Sequence, residues 1–186
     1  PSAAASDSSL RAARRRVAGL IDEIAALPHR TACRPKVSVV INTYNRGWWL
    51  DRCLSSLQAQ TYGNFEIIAV NGPSTDSTSE VLARWRGRLK TVSTQSRVLS
   101  VSRNEGVAAA SGDLVAFIDD DAVADPCWLE RLAPAFLDPK TGGAGGLVYR
   151  MNGRDIEFSC GTLDREGFVE WNRPEPGRHF DWSDGR

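Results

Sequence analysis

The run Val115-Ala116-Phe117-Ile118-Asp119-Asp120-Asp121 sets four apolar residues directly before three consecutive carboxylates. A short apolar run of this kind is predicted to be a buried strand, which puts the acids where that strand leaves its sheet. Three adjacent carboxylates repel one another and tolerate burial poorly unless something positive lies against them. Two readings follow from the residues alone. The acids hold a hard divalent cation, Mg²⁺ or Mn²⁺, which itself carries a phosphate-bearing substrate. Alternatively they form a solvated turn capping the helix that opens near Pro126.

Outward from this run, apolar strands alternate with amphipathic stretches. Val37-Ser38-Val39-Val40-Ile41 is a β-branched run and is predicted to be a buried strand. Residues 48–60 carry Leu50, Leu54 and Leu57 at spacings that share one helical face. A second strand is expected over Phe65 to Val70, a helix from Ser77 to Trp85, and a short strand from Leu89 to Val92. The alanine-rich stretch Arg103 to Ala110 is expected to be helical, with Gly112 as its C-cap. A helix from Pro126 to Leu137, kinked or stopped at Pro134, precedes a strand over Gly145 to Tyr149. This alternation predicts an α/β fold with a mainly parallel sheet flanked by helices. Ligands of such sheets bind at the carboxyl ends of the strands. The rule collects Asn42-Thr43-Tyr44-Asn45, Asn71-Gly72-Pro73-Ser74-Thr75-Asp76 and the three aspartates on one rim.

Composition narrows the function classes. The 186 residues suffice for one domain with a real core, and 41% hydrophobic with 25% charged residues is ordinary for a globular chain. Lys plus Arg and Asp plus Glu both number 23, so net charge gives no case for a nucleic-acid partner, and none is expected. No apolar run approaches the roughly 20 residues needed to cross a bilayer, and the N-terminus lacks a signal peptide's apolar stretch. Cys33, Cys53, Cys127 and Cys160 are widely spaced, which favours reduced cysteines and a cytoplasmic location over a zinc site or disulfide framework. With only His29 and His179, a histidine-dependent nucleophilic triad has little support.

Three regions are expected. Residues 1–35 form a polar tail and an amphipathic helix in which Leu10, Val17, Leu20, Ile21, Ile24 and Leu27 recur at helical spacing. Its Arg11, Arg14, Arg15 and Arg16 suit either a solvated face or peripheral membrane contact. Residues 36–150 form the α/β core, and residues 151–186 an irregular region of loops and short strands.

The rim residues offer specific chemistry. Thr43, Tyr44 and Asn45 present hydroxyl and amide groups that can read or stack on a nucleobase, although Asn45-Arg46-Gly47 also suits a turn before a helix. Ser74, Thr75, Asp76 and Ser77 are helix caps whose neighbouring N–H groups can also face a polar ligand. Arg97 and Arg103 can offset diphosphate charge or stack on a base.

Together these segments resemble family 2 glycosyltransferases, which have the Rossmann-like GT-A fold. Val37 through Arg46 looks like that family's opening strand, and Asn71 through Asp76 is similar to its second-strand motif. Ser102-Arg103-Asn104-Glu105-Gly106 with Ala110-Ser111-Gly112-Asp113 resembles the helix before its metal motif. Asp119-Asp120-Asp121 fits the family's Asp-x-Asp. The resemblance implies a donor site of Thr43, Tyr44, Asn45, Asn71, Ser74, Arg97, Arg103, Asp119 and Asp120, with Asp121 on Mg²⁺ or Mn²⁺. It implies a nucleotide-sugar donor (UDP-, GDP- or dTDP-linked), a glycan, lipid or protein acceptor, and inversion at the transferred sugar. Asn71 departs from the family's usual aspartate, leaving an amide that both donates and accepts. The family's catalytic-base motif, typically a Glu-Asp pair, is not found, so the C-terminal part is expected to be incomplete. None of Glu157, Asp164, Glu166, Glu170 and Glu175 is assigned as base. The competing expectation is therefore a nucleotide-sugar-binding module without transfer activity. A dinucleotide-binding domain is disfavoured, because no Gly-x-Gly-x-x-Gly follows the first strand.

Overall fold

The computed structural model describes residues 34–158, 160–163 and 169–172. The amphipathic segment 10–27, both histidines, and Asp164, Glu166 and Glu175 lie outside the described residues. The chain divides into two compact units, one ending at Leu137 and one resuming at Asp138.

The first unit is built on four parallel strands: β1 (Val37–Thr43), β2 (Phe65–Asn71), β3 (Lys90–Ser93) and β4 (Leu114–Asp119), in the order β3-β2-β1-β4. β1 is central and its Val39, Val40 and Ile41 are completely buried. Its alternating side chains feed two apolar layers. Val37, Val39 and Ile41 pack with α1 (Gly47–Gln58), which contributes Leu50, Cys53, Leu54 and Leu57. Those four positions follow the i, i+3, i+4, i+7 stripe, and burying each side chain is worth about 1.5–3 kcal/mol. Val40 faces the opposite layer with Ile68 and Val70, beneath the helix running Leu99–Ala109.

Between these lie α2 (Thr78–Arg84), and after it α3 (Leu99–Ala109), α4 (Trp128–Leu132) and a 3₁₀ turn (Ala133–Leu137). Pro134 thus marks where α-helical winding gives way to 3₁₀, as its missing N–H requires. α3 starts four residues before the position expected from sequence. Its buried face is made of Ser102 and Gly106, which show no apolar period. Gly106 lets the helix lie against β1, since a Cβ there would come within 2.4 Å of Val40 Cγ1.

Gly112 is not a helix cap. Ala110 ends α3 in extended conformation. Gly112 instead permits close approach to β1, because a Cβ would lie 2.7 Å from both the Lys36 carbonyl oxygen and the Ser38 nitrogen. Its N–H donates to Ser38 Oγ at 2.8 Å, and Ser38 Oγ donates to Glu66 Oε1 at 2.6 Å. The same Glu66 oxygen accepts from the Ser111 N–H and hydroxyl, both at 2.8 Å. Burial alone would raise the Glu66 pKa, but these Ser38 and Ser111 donors, with Lys36 nearby, hold it at about 2.

β4 is not the fully buried strand its apolar run suggests. Among the described residues it is, with β3, one of the two outer strands of the sheet, and Val115 and Phe117 stay exposed while Leu114, Ala116 and Ile118 pack inward.

In the second unit, β5 (Val148–Tyr149) pairs antiparallel with β6 (Ile156–Phe158), and β7 (Cys160–Leu163) with β8 (Val169–Asn172). The strand expected from Gly145 reduces to β5, as four glycines in Gly142–Gly146 leave only the Ala144 methyl to stabilise extension.

Candidate functional site

Parallel pairing aligns the carboxyl ends of the strands: Thr43 opposite Asn71, Asn71 opposite Ser93, and Asn42 opposite Asp119. The sheet order reverses between β1 and β4, the junction where open α/β sheets form a crevice. Around it lies a cavity of about 450 Å³ whose walls include Asn42, Thr43, Tyr44, Arg97, Ser102 and all three aspartates.

The aspartates have separate environments. Asp120 is buried, whereas Asp119 and Asp121 side chains are 72% and 47% exposed. Burial pushes the Asp120 carboxyl upward; the Thr43 hydroxyl and Arg46 pull it back, and Asp121 and Asp119 push it further up. The Thr43 hydroxyl is near enough for this influence but lacks hydrogen-bond geometry to any partner. Positive charge comes from two guanidinium groups. Arg46 Nη1 donates to Asp121 Oδ2 and lies 3.6 Å from Asp120 Oδ1, and Arg103 Nη2 lies 3.4 Å from Asp119 Oδ1. The acids do not cap the next helix, whose N-cap Cys127 makes no side-chain cap hydrogen bond; Asp125 accepts from the Cys127 N–H at 2.8 Å in the turn before it. Cys53, behind the acids, has its thiol pushed up to about 12 by burial and by Asp120, Asp121 and Asp119.

Two buried polar atoms in the cavity wall, Asn42 Nδ2 and Thr43 Oγ1, have no hydrogen-bond partner within the described protein. Leaving such groups unpaired costs about 1–3 kcal/mol each, so they are ready to be satisfied by a polar ligand. Tyr44 carries the Arg97 guanidinium 5.1 Å from its ring centroid.

The remaining candidates lock two loops together. Asn45, at a left-handed φ of 55°, donates its N–H to Ser74 Oγ at 3.0 Å, and its side-chain oxygen accepts from the Thr75 N–H at 2.7 Å. Ser74 Oγ donates to Asn71 Oδ1 at 2.8 Å. Asp76 accepts from the N–H of Gly47 and of Thr78, both at 3.0 Å, joining the starts of α1 and α2. Asn71 lines a separate cleft of about 390 Å³ with Leu82, Arg86 and Thr91, away from the acids. The structure therefore gathers Thr43, Tyr44, Arg97 and the three aspartates on one cavity. Asn45, Asn71 and Ser74 are bonded to one another beside it, and Arg103 is stacked 5.5 Å over Phe117 while reaching Asp119. The cavity wall also holds Asn42, which the rim rule already includes, and Arg46 and Ser102, to which the sequence assigns no part in the site. Arg46 sits inside a turn-forming tripeptide, and nothing in its neighbours marks its distant partner.

Among the described residues no three His, Cys, Asp or Glu side chains converge into a metal cage. Mg²⁺ characteristically uses one or two carboxylates plus substrate phosphates, and a half-exposed Asp121 beside Asp120 fits that donor set.

A parallel sheet with a cavity at its topological switch point is the α/β class that holds its ligands there. The sequence pattern of Glycosyl transferase family 2 matches residues 38–181, and the chain belongs to that family. It is 36% identical over 149 residues to a putative glycosyltransferase, EpsH, of Bacillus subtilis (strain 168), covering 78% of this chain and 42% of EpsH. It is 37% identical over 124 residues to validoxylamine A glucosyltransferase of Streptomyces hygroscopicus subsp. limoneus, covering 63% of this chain and 27% of that enzyme. The GT-A fold is shared with S. aureus TarS 1-349 (TM-score 0.51, 26% identity, 64% of this chain and 43% of that one). It is also shared with the mannosyltransferase PcManGT from Pyrobaculum calidifontis, solved with GDP-Man and Mn²⁺ (TM-score 0.52, 25% identity, 76% of this chain and 46% of that one). The chain spans less than half the length of these relatives. No helix among the described residues is long and apolar enough to cross a membrane.

Proposed function

We propose that the 450 Å³ cavity binds a nucleoside diphosphate sugar together with Mg²⁺ or Mn²⁺, and that the chain serves transfer of that sugar, with inversion, to a glycan, lipid or protein acceptor. The observation that carries this is the juxtaposition, on one cavity, of unpaired buried donors with the Asp120–Asp121 pair. Thr43 Oγ1 and Asn42 Nδ2 gain partners on the polar edge of a base or ribose. The Tyr44 ring and the Arg97 guanidinium form a platform for base stacking. Asp121 holds the cation, with Asp120 behind it and Asp119 toward the ribose and sugar. A cation held by Asp121 would supply Lewis-acid neutralisation of the departing nucleoside diphosphate. PcManGT, solved with GDP-Man and Mn²⁺, supports this assignment by likeness of fold.

Calorimetry with UDP, GDP and dTDP, with and without Mn²⁺, tests it. Metal-dependent heat is expected with one of them, and Asp121→Ala should weaken it about tenfold or more, as loss of a charged ligand does. Equal binding of every nucleotide without metal, or no binding at all, would overturn the assignment.

A further inference from the structure

Arg46 is the residue the donor site leaves unexplained. Its guanidinium donates to Asp121 Oδ2, one of the two oxygens that carboxylate offers a cation, and lies 3.6 Å from Oδ1 of buried Asp120. Its backbone is pinned: the N–H donates to Thr78 Oγ1 at 3.2 Å, and the carbonyl accepts from Leu50 N–H at 2.9 Å, at the start of α1. The side chain itself is 49% exposed, so it can swing away without moving the loop or opening a void in the core. A hard cation must come to about 2.1 Å from its carboxylate oxygens. A guanidinium and a divalent cation on the same two carboxylates repel each other, so each weakens the other's hold. Asn42 Nδ2, buried without a hydrogen-bond partner on the same cavity wall, marks this corner as a ligand site apart from the acids.

We propose that Arg46 is the built-in counter-cation of the Asp120–Asp121 pair, and that the metal must displace it. The metal therefore binds weakly alone and tightly only when a nucleoside diphosphate supplies the remaining ligands and a new partner for the freed guanidinium. The device makes metal and donor bind as a unit, and it rests on the donor and cation assignment above. By linkage the enhancement is reciprocal, so a change that strengthens metal binding to the free protein more than to the nucleotide complex reduces it for both ligands.

The test is Mn²⁺ titration of the whole chain, read by the spin-resonance signal of free Mn²⁺, without nucleotide and then with saturating UDP or GDP. Arg46→Gln should bind Mn²⁺ alone about tenfold more tightly than wild type, with a smaller enhancement by nucleotide. Arg46→Lys, which keeps the charge, should stay weak. Melting curves of both variants report folding, so a general loss of structure is seen separately. Mn²⁺ affinity of Arg46→Gln equal to or below wild type, in folded protein, overturns the proposal. If wild type binds no nucleotide under any metal condition, the donor assignment fails instead, and the Mn²⁺-only comparison still decides whether Arg46 competes for the acids.

Discussion

Replacing Gly106 by alanine sets two opposing effects against each other, and the structure says which wins. Alanine in a helix interior is favoured over glycine by about 0.8–1.0 kcal/mol. Here the new Cβ would meet Val40 Cγ1 at 2.4 Å and Val70 Cγ2 at 3.1 Å. Val40 is completely buried on the central strand, and its branched Cβ gives it little rotameric escape. Overpacking of this kind costs typically about 1–3 kcal/mol, and a contact so far inside van der Waals distance belongs at the upper end. The net expectation is a destabilisation of about 1–2 kcal/mol. Urea unfolding should show the midpoint falling by about 0.5–1 M with an unchanged slope. α3 also carries Ser102 to the cavity wall, so nucleotide affinity should fall in the same variant. Val40→Ala removes the clashing methyl groups. In the double variant the two costs should be less than additive by about 1 kcal/mol or more, as expected for residues in direct contact. A Gly106→Ala protein as stable as wild type, or more stable, would refute the claim that α3 docks through this glycine.

The other expectations concern the sheet's opposite end and the layer beneath the acids. Glu66 has a folded pKa near 2 against an ordinary 4.5, so its stabilising contribution is present above about pH 4.5 and lost as pH falls toward 2. Glu66→Gln should cost about 1–2 kcal/mol at pH 7, allowing for partial exposure, and the gap from wild type should narrow between pH 4.5 and 2 in denaturation curves. A gap constant over that range would contradict the Ser38–Glu66–Ser111 hub. Cys53, with its thiol pushed up to about 12 and completely buried, should resist iodoacetamide at pH 8 while partly exposed Cys127 reacts. Peptide mapping showing both alkylated equally in folded protein would disprove that burial. In one Mn²⁺ titration Asp121→Ala should weaken binding and Arg46→Gln should strengthen it, as removal of a negative and of a positive charge beside the cation requires.

How far the sequence reached depends on the range of the interactions involved. Strand and helix identity in residues 37–119 was legible, because β-branched runs and the Leu50–Leu54–Leu57 spacing are local patterns. The convergence of three segments on one rim was legible as well, because parallel βα alternation sends successive strand ends the same way. α3 was read short because its packing face consists of Ser102 and Gly106, where smallness replaces hydrophobicity. Gly112 was misread for a related reason: what demands glycine is the backbone of β1, 74 residues earlier in the chain.

By itself, then, the sequence determined the α/β alternation, the family and the position of the acids at a strand's exit. Local patterning and motif order carry that information without any knowledge of distant contacts. Only the tertiary structure decided how the three aspartates differ. Asp120 is buried against Thr43's layer, Asp121 is held by Arg46 from the β1 loop, and Asp119 faces Arg103 on α3. Charge balance at a site depends on which side chains the fold brings within a few ångströms, and Arg46 is separated from Asp121 by 75 residues of chain.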